Sequence, residues 1–121
     1  MKLIRNYLIE DVISKENLKI NVRYQTIRTK HSIEREKRDG YAIPQNEIIS
    51  LVRLGMQKIT VDMILNKINL NEKLLIQDLR NNLNIVGVVE NKGSNELDFV
   101  IITVMRKKGF KAKSNTHVVT I

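Results

Sequence analysis

The sequence predicts a single α+β domain over residues 1–121, in which N-terminal helices pack on a mainly antiparallel sheet. Three patterns carry this prediction. Apolar residues recur at helical spacing in residues 2–14, a strict alternation of apolar and polar residues follows in residues 17–27, and a near-continuous apolar run lies in residues 97–106. These patterns are typical of a helix, a half-buried strand and a central strand buried on both faces, in that order.

The first half of the chain is predicted to be mostly helical. Residues 30–38 are charged and helix-favouring, with Thr29 as the N-cap. Pro44 suits the first turn of a further helix, and Gly55 suits its end. Residues 59–68 fit either a short helix or an extended segment. The apolar stripe of the Pro44 helix is predicted to consist of Ile48, Leu51 and Val52, and that of the first helix of Leu3, Ile4, Tyr7, Leu8, Ile9, Val12 and Ile13.

The second half of the chain reads as antiparallel strands. Residues 73–80 and 83–90 flank Asn81-Asn82, which is a turn signal, and residues 91–96 form the next turn. A basic loop, "KKGFKAKSN", follows the apolar run, and the final "THVVTI" predicts a short strand.

Composition excludes several classes of site. The chain has no cysteine and two histidines, so disulfides, thiolate ligands and a cysteine nucleophile are ruled out and a metal site is disfavoured. We therefore expect neither a metal nor another cofactor. The chain has no apolar run long enough to span a bilayer and no recognisable signal peptide, which predicts a cytoplasmic protein without a membrane partner.

The positive charge is segregated along the chain. The formal net charge is +8, and the excess lies in residues 19–40, net +4, and residues 106–121, net +5, on either side of a near-neutral middle. Segregated charge of this kind indicates a polyanion partner, of which RNA is the one we expect. A charge that serves solubility alone is the alternative.

His31 and Arg35 form the candidate catalytic pair. On a helix they would share one face, about 5–6 Å apart at Cβ, between Lys30 and Arg38. A neutral imidazole at a helix start can accept a proton, and a guanidinium can bind phosphate oxygens. Together they would suffice for metal-independent RNA cleavage by the 2′-hydroxyl. The simpler alternative is a solvated helix start without a catalytic role.

The C-terminal segment supplies the candidate RNA-binding residues. Lysines and an arginine in such a run can follow a nucleic-acid backbone, and Phe110 is either a stacking ring or an ordinary hydrophobic anchor. His117 is either a satisfied sheet residue or a second acid–base group. The predicted RNA-binding set is Lys30, Arg38, Arg106, Lys108, Lys111, Lys113 and His117.

Two stretches resemble a known family. The run "TKHSIEREKRDGYAIPQNEIISLVRLG" and the later "DFVIITVMRKKGF" are similar to small phage and bacterial proteins of RelE-like fold, among them the RegB-type mRNA endoribonucleases. The resemblance implies a curved antiparallel sheet, an mRNA substrate, and active-site roles for His31 and Arg35.

We therefore expect a metal-independent endoribonuclease. The alternative is a protein without catalytic activity, either a nucleic-acid-binding regulator or a small phage-type effector that binds an acidic host protein. The sequence does not decide whether a ribosome or a host protein is a further partner, or what the oligomeric state is.

Overall fold

A mixed β-sheet of six strands, with a long helix packed on one face, forms most of the chain that the structure describes. The structure is a computed structural model and describes residues 3–15, 18–29, 32–34, 43–64, 67–93 and 96–121. The order of the strands across the sheet is β1-β2-β5-β4-β3-β6. The elements are β1 (Leu3–Lys15), β2 (Leu18–Thr29), α1 (Gln45–Ile64), β3 (Lys73–Asp78), β4 (Leu83–Gly93), β5 (Glu96–Arg106) and β6 (His117–Thr120).

The sheet is mainly antiparallel, as predicted, and the α+β class is confirmed. The pairs β1–β2, β4–β5 and β3–β4 are antiparallel, whereas β2–β5 and β3–β6 are parallel. Parallel neighbours need a crossover connection, and α1 lies within the one between β2 and β5. The apolar run of residues 97–106 falls in β5, which has a paired strand on each side and many buried side chains, as predicted.

The predicted N-terminal helix is wrong, because residues 3–15 form β1. This strand pairs with β2 along its length, from Leu3 opposite Thr29 to Lys15 opposite Leu18. The segment is rich in β-branched and aromatic residues, which favour a pleated strand when a partner strand is available. Pairing with the strongly alternating β2 therefore outweighs the local helical spacing.

Helix α1 begins as predicted but runs further. The Pro44 carbonyl accepts from the backbone N–H groups of Glu47 and Ile48, and the predicted stripe of Ile48, Leu51 and Val52 is buried. The predicted end at Gly55 is wrong, since α1 continues to Ile64. The glycine instead permits close packing, because a Cβ built there would lie 2.6 Å from the Ile76 Cδ1 atom on β3. Residues 59–64, which the sequence left ambiguous, are helical.

The two faces of the sheet differ in what packs against them. The face under α1, which we call the helix face, holds the main hydrophobic core, whose members on the strands include Tyr24, Leu74, Ile76, Leu83, Ile85, Val89, Phe99, Ile101, Val104 and Val119. The residues that alternate with them point to the opposite face, which we call the loop face. On that face Leu75 and Val100 are buried, and the sheet has a β-bulge at Ile102, which has no partner on β4.

The predicted turn at Asn81-Asn82 is confirmed. Asn82 has a positive φ of 56°, which asparagine tolerates better than most residues. The Asp78 carboxylate accepts from the backbone N–H groups of Arg80 and Asn81 and fixes the turn between β3 and β4.

Candidate nucleic-acid interface

The segment between β5 and β6, residues 107–116, is the basic loop. Its four lysines, Lys107, Lys108, Lys111 and Lys113, are all exposed, and residues 106–121 contain no acidic side chain. Gly109 and Asn115 have positive φ angles of 71° and 69°, which mark sharp turns near each end of the loop. Of the predicted RNA-binding set, Lys108, Lys111 and Lys113 therefore lie together on one exposed segment.

Two side-chain amides hold the basic loop on the loop face. Asn84 is 1% exposed, and its Nδ2 donates to the Lys107 carbonyl over 3.0 Å. Gln77 Nε2 donates both to Asn84 Oδ1 at 2.9 Å and to the Phe110 carbonyl at 2.8 Å. Two carbonyls of a segment without regular secondary structure thus accept from one buried and one half-buried amide, which fixes the loop backbone at residues 107 and 110.

A small cavity lies between the basic loop and the sheet. Leu75, Val86 and Met105 contribute to it from three adjacent strands, and Phe110 and Ala112 contribute from the loop. The Phe110 side chain is half-buried. The structure therefore makes Phe110 part of the wall of an opening, and its role as a stacking ring stays a prediction.

Arg106 lies apart from the lysines of the loop. Its guanidinium is on the helix face, where Nη2 forms an ion pair with Glu47 Oε2 at 2.7 Å and Nη1 donates to the Asn81 carbonyl at 2.9 Å. Arg106 thereby links two elements of the fold, since Glu47 is in the first turn of α1 and Asn81 is in the β3–β4 turn. These contacts give Arg106 a structural role, and its contact with RNA stays a prediction.

His117 also faces the helix side. It is the first residue of β6, an edge strand, and its Nε2 atom lies 3.9 Å from Asp62 Oδ2 on α1. Its side chain is 35% exposed. The sheet therefore separates Arg106 and His117, on one face, from the cavity and its covering loop on the other.

The predicted catalytic residues His31 and Arg35 lie outside the described residues, as do Lys30 and Arg38. The described residues between the pair, 32–34, are helical, as predicted. Thr29 acts as their N-cap, because its Oγ1 accepts from the Ser32 N–H at 3.1 Å, and Ser32 Oγ donates to the Thr29 carbonyl at 2.8 Å. The predicted cap at Thr29 is thus confirmed.

Sequence reasoning missed Gln77 and Asn84. Both stand in the strand alternation at positions where an exposed polar residue is the ordinary interpretation. Their pairing requires the register of β3 against β4, which sets Gln77 opposite Asn84. No local signal in the sequence distinguishes them from surface amides.

Among the described residues, no cluster of three or more histidine and acidic side chains is placed to hold a metal ion. The described helices also include none with the length and apolar character that a bilayer crossing requires. Comparison with protein families, curated proteins and solved structures found no match to this chain.

Proposed function

We propose that the protein binds single-stranded RNA through the basic loop. The observation that carries this proposal is the combination of exposed Lys107, Lys108, Lys111 and Lys113 with a loop backbone held by the buried Asn84 amide. Lysines that serve solubility alone need no fixed backbone, whereas a row of cations on an ordered segment is suited to follow a phosphate chain.

RNA binding is tested by fluorescence anisotropy with labelled single-stranded RNA over a range of salt concentrations. We expect the triple variant Lys108→Gln, Lys111→Gln, Lys113→Gln to bind more weakly. Each lost phosphate contact should also lower the slope of log affinity against log salt by about 0.7.

The matched control is Arg53→Gln. Arg53 is exposed on α1, on the other side of the sheet from the basic loop, and its substitution also removes one positive charge. Weakening by this control as large as that caused by Lys111→Gln alone would indicate nonspecific attraction to net charge. Absence of RNA binding at low salt would leave an acidic host protein as the partner to test.

RNA cleavage is the second candidate function, and the helical turn capped by Thr29 favours it. A fixed turn at residues 32–34 suits the proposed spacing of His31 and Arg35 on one face. In the proposed reaction His31 accepts the proton of the 2′-hydroxyl, and Arg35 neutralises charge on the phosphoryl oxygens. The 2′-oxygen bonds to phosphorus while the 5′-oxygen leaves and takes up a proton, giving a 2′,3′-cyclic phosphate. This proposal includes the RelE-like fold and an mRNA substrate.

Cleavage is tested by incubating end-labelled RNA with the protein in the presence of a chelator. We expect chelator-resistant cutting with a cyclic phosphate end, and its loss in folded His31→Ala and Arg35→Ala variants. Full cutting by both variants would reject the assignment. Retention of RNA without any cutting would leave the binding function alone.

A further inference from the structure

A cavity of about 190 Å³ opens beneath the basic loop. We propose that it holds one nucleobase of the bound RNA, an inference that rests on the proposed RNA binding. The lining residues are Lys73, Leu75, Val86, Ile102, Thr103, Met105, Phe110, Ala112, Lys113 and Thr116.

The size of the cavity matches a single planar ring system. A cavity of about 150 Å³ lined by apolar side chains accommodates benzene, so the space here takes a six-membered ring with its exocyclic groups. Typical pockets for larger organic ligands measure about 300–1,000 Å³, which is well above this volume.

The chemistry of the walls fits a base that is attached to a phosphate chain. The interior is formed by the aliphatic and thioether groups of Leu75, Val86 and Met105 with the ring of Phe110, a surface that an aromatic base can contact through its faces. Lys73 and Lys113 also line the cavity, and both are exposed. Two ammonium groups beside an apolar opening complement an aromatic group that carries an adjacent anion, as a nucleotide does.

Hydrogen bonds within the protein hold the opening. Gln77 Nε2 donates to the Phe110 carbonyl at 2.8 Å, and Asn84 Nδ2 donates to the Lys107 carbonyl at 3.0 Å, so contacts of the protein itself place the loop over the sheet. A preformed site spares part of the entropy of ordering on binding.

The experiment compares a mixed-sequence RNA of about 10 nucleotides with an oligonucleotide of equal length that lacks bases. Both carry the same phosphates, so phosphate contacts alone give equal affinities at a given salt concentration. We expect the wild-type protein to bind the base-bearing RNA at least about tenfold more tightly, as base stacking contributes that much or more.

Ala112→Leu fills the cavity, and Ser114→Leu adds the same side chain at an exposed loop position that does not line it. We expect Ala112→Leu to lower the affinity for base-bearing RNA to that of the abasic strand, and to leave the abasic affinity unchanged. Ser114→Leu should preserve the difference. Circular dichroism and thermal melting establish that each variant is folded.

A second measurement needs no variant. RNA containing 4-thiouridine is photocrosslinked to the wild-type protein, and the crosslinked residue is mapped by mass spectrometry. Crosslinks at Phe110 or Met105 support the inference, whereas crosslinks found exclusively at residues outside the cavity overturn it.

Equal wild-type affinity for the two oligonucleotides, or a preference that Ala112→Leu leaves intact, would overturn the base site while RNA binding stands. Failure of both oligonucleotides to bind at low salt would instead reject the proposed function itself.

Discussion

The side-chain amide of Gln77 donates to that of Asn84 over 2.9 Å, across the β3–β4 pair and beneath the basic loop. From this pair, donors reach the carbonyls of Phe110 and Lys107, so two neighbouring amides fix the loop at two points. A polar pair in the sheet thus holds the backbone of the cationic surface in place.

Asn84→Ala should destabilise the protein by about 2–3 kcal/mol. The substitution leaves the Lys107 carbonyl without its side-chain donor and the half-buried Gln77 amide without one of its two acceptors, and a buried polar group left unsatisfied costs about 1–3 kcal/mol. Urea denaturation measures the loss, and limited trypsin digestion should show faster cleavage at the lysines of the loop. Asn46→Ala, at an exposed position in the first turn of α1, should change stability by less than about 0.5 kcal/mol. Equal effects of the two variants would contradict the proposed anchoring.

Gly55→Ala should destabilise the protein although alanine is the better helix former. Its Cβ would lie 2.6 Å from Ile76 Cδ1 and 2.8 Å from Ile76 Cγ2, and overpacking of this kind costs about 1–3 kcal/mol against a propensity gain of about 1 kcal/mol. In an Ile76→Ala background these atoms are absent, so the same substitution should become stabilising. Chemical denaturation of the four proteins measures this change of sign, and a destabilising effect in both backgrounds would show that the contact with Ile76 is not the cause.

The ion pair between Arg106 and Glu47 should contribute a modest, salt-dependent coupling. The two side chains are 31% and 38% exposed, so a double-mutant cycle with Arg106→Gln and Glu47→Gln should give about 0.5–1 kcal/mol at low salt. Screening should reduce this coupling in about 1 M salt. Titration with RNA separates the structural role from a binding role, because Arg106→Gln should weaken RNA binding less than Lys111→Gln does. A larger loss at Arg106 would assign the guanidinium to the RNA.

Thr29→Val should cost about 1–2 kcal/mol through loss of a helix cap and a buried hydrogen bond. Thr29 Oγ1 accepts from the Ser32 N–H and donates to the Ile101 carbonyl at 3.2 Å, and valine keeps the shape but can do neither. Thr29→Ser keeps the hydroxyl and serves as the control. Thermal and urea unfolding measure the stability.

The Thr29→Val variant also tests whether the helix cap contributes to RNA cleavage. If His31 and Arg35 act from a turn positioned by this cap, folded Thr29→Val should cleave RNA more slowly than Thr29→Ser while binding it with similar affinity. Unchanged cleavage by both variants would separate the cap from the chemistry.

Strands were predictable where the sequence pattern is compatible with only one type of secondary structure. The alternation of β2 and the apolar run of β5 each predict an extended chain, and both strands are confirmed. The half-burial predicted for β2 is wrong at its end, where Thr26 and Arg28 are buried together with Tyr24 and Ile27. The segment of β1 satisfies helical spacing and strand composition together, and only the presence of β2 decides between them. Gly55 is a comparable case, because a glycine ends a helix or permits close packing, and the difference depends on Ile76, which lies on another element.

The candidate site was predictable in its charge and not in its geometry. The lysines of the basic loop stand out in the sequence as a run without acidic residues. Arg106 and His117 lie on the helix face, away from the lysines of the basic loop. The face that each residue occupies depends on strand register and on the position of α1, which the local sequence does not show. The cavity is formed by side chains of three neighbouring strands together with side chains of the basic loop, so its lining depends on strand register and not on a local sequence motif.

The route of the chain between β5 and β6 limits how the basic loop can be altered. The two strands run in the same direction with β4 and β3 between them, so residues 107–116 must span the width of two strands as irregular backbone. Connections between parallel strands usually take about a dozen residues or more and include a helix, whereas this one has ten residues without a helix. The cationic surface is therefore also the segment that leads the chain to the edge of the sheet, so a deletion within it alters the placement of the last strand as well as the charge.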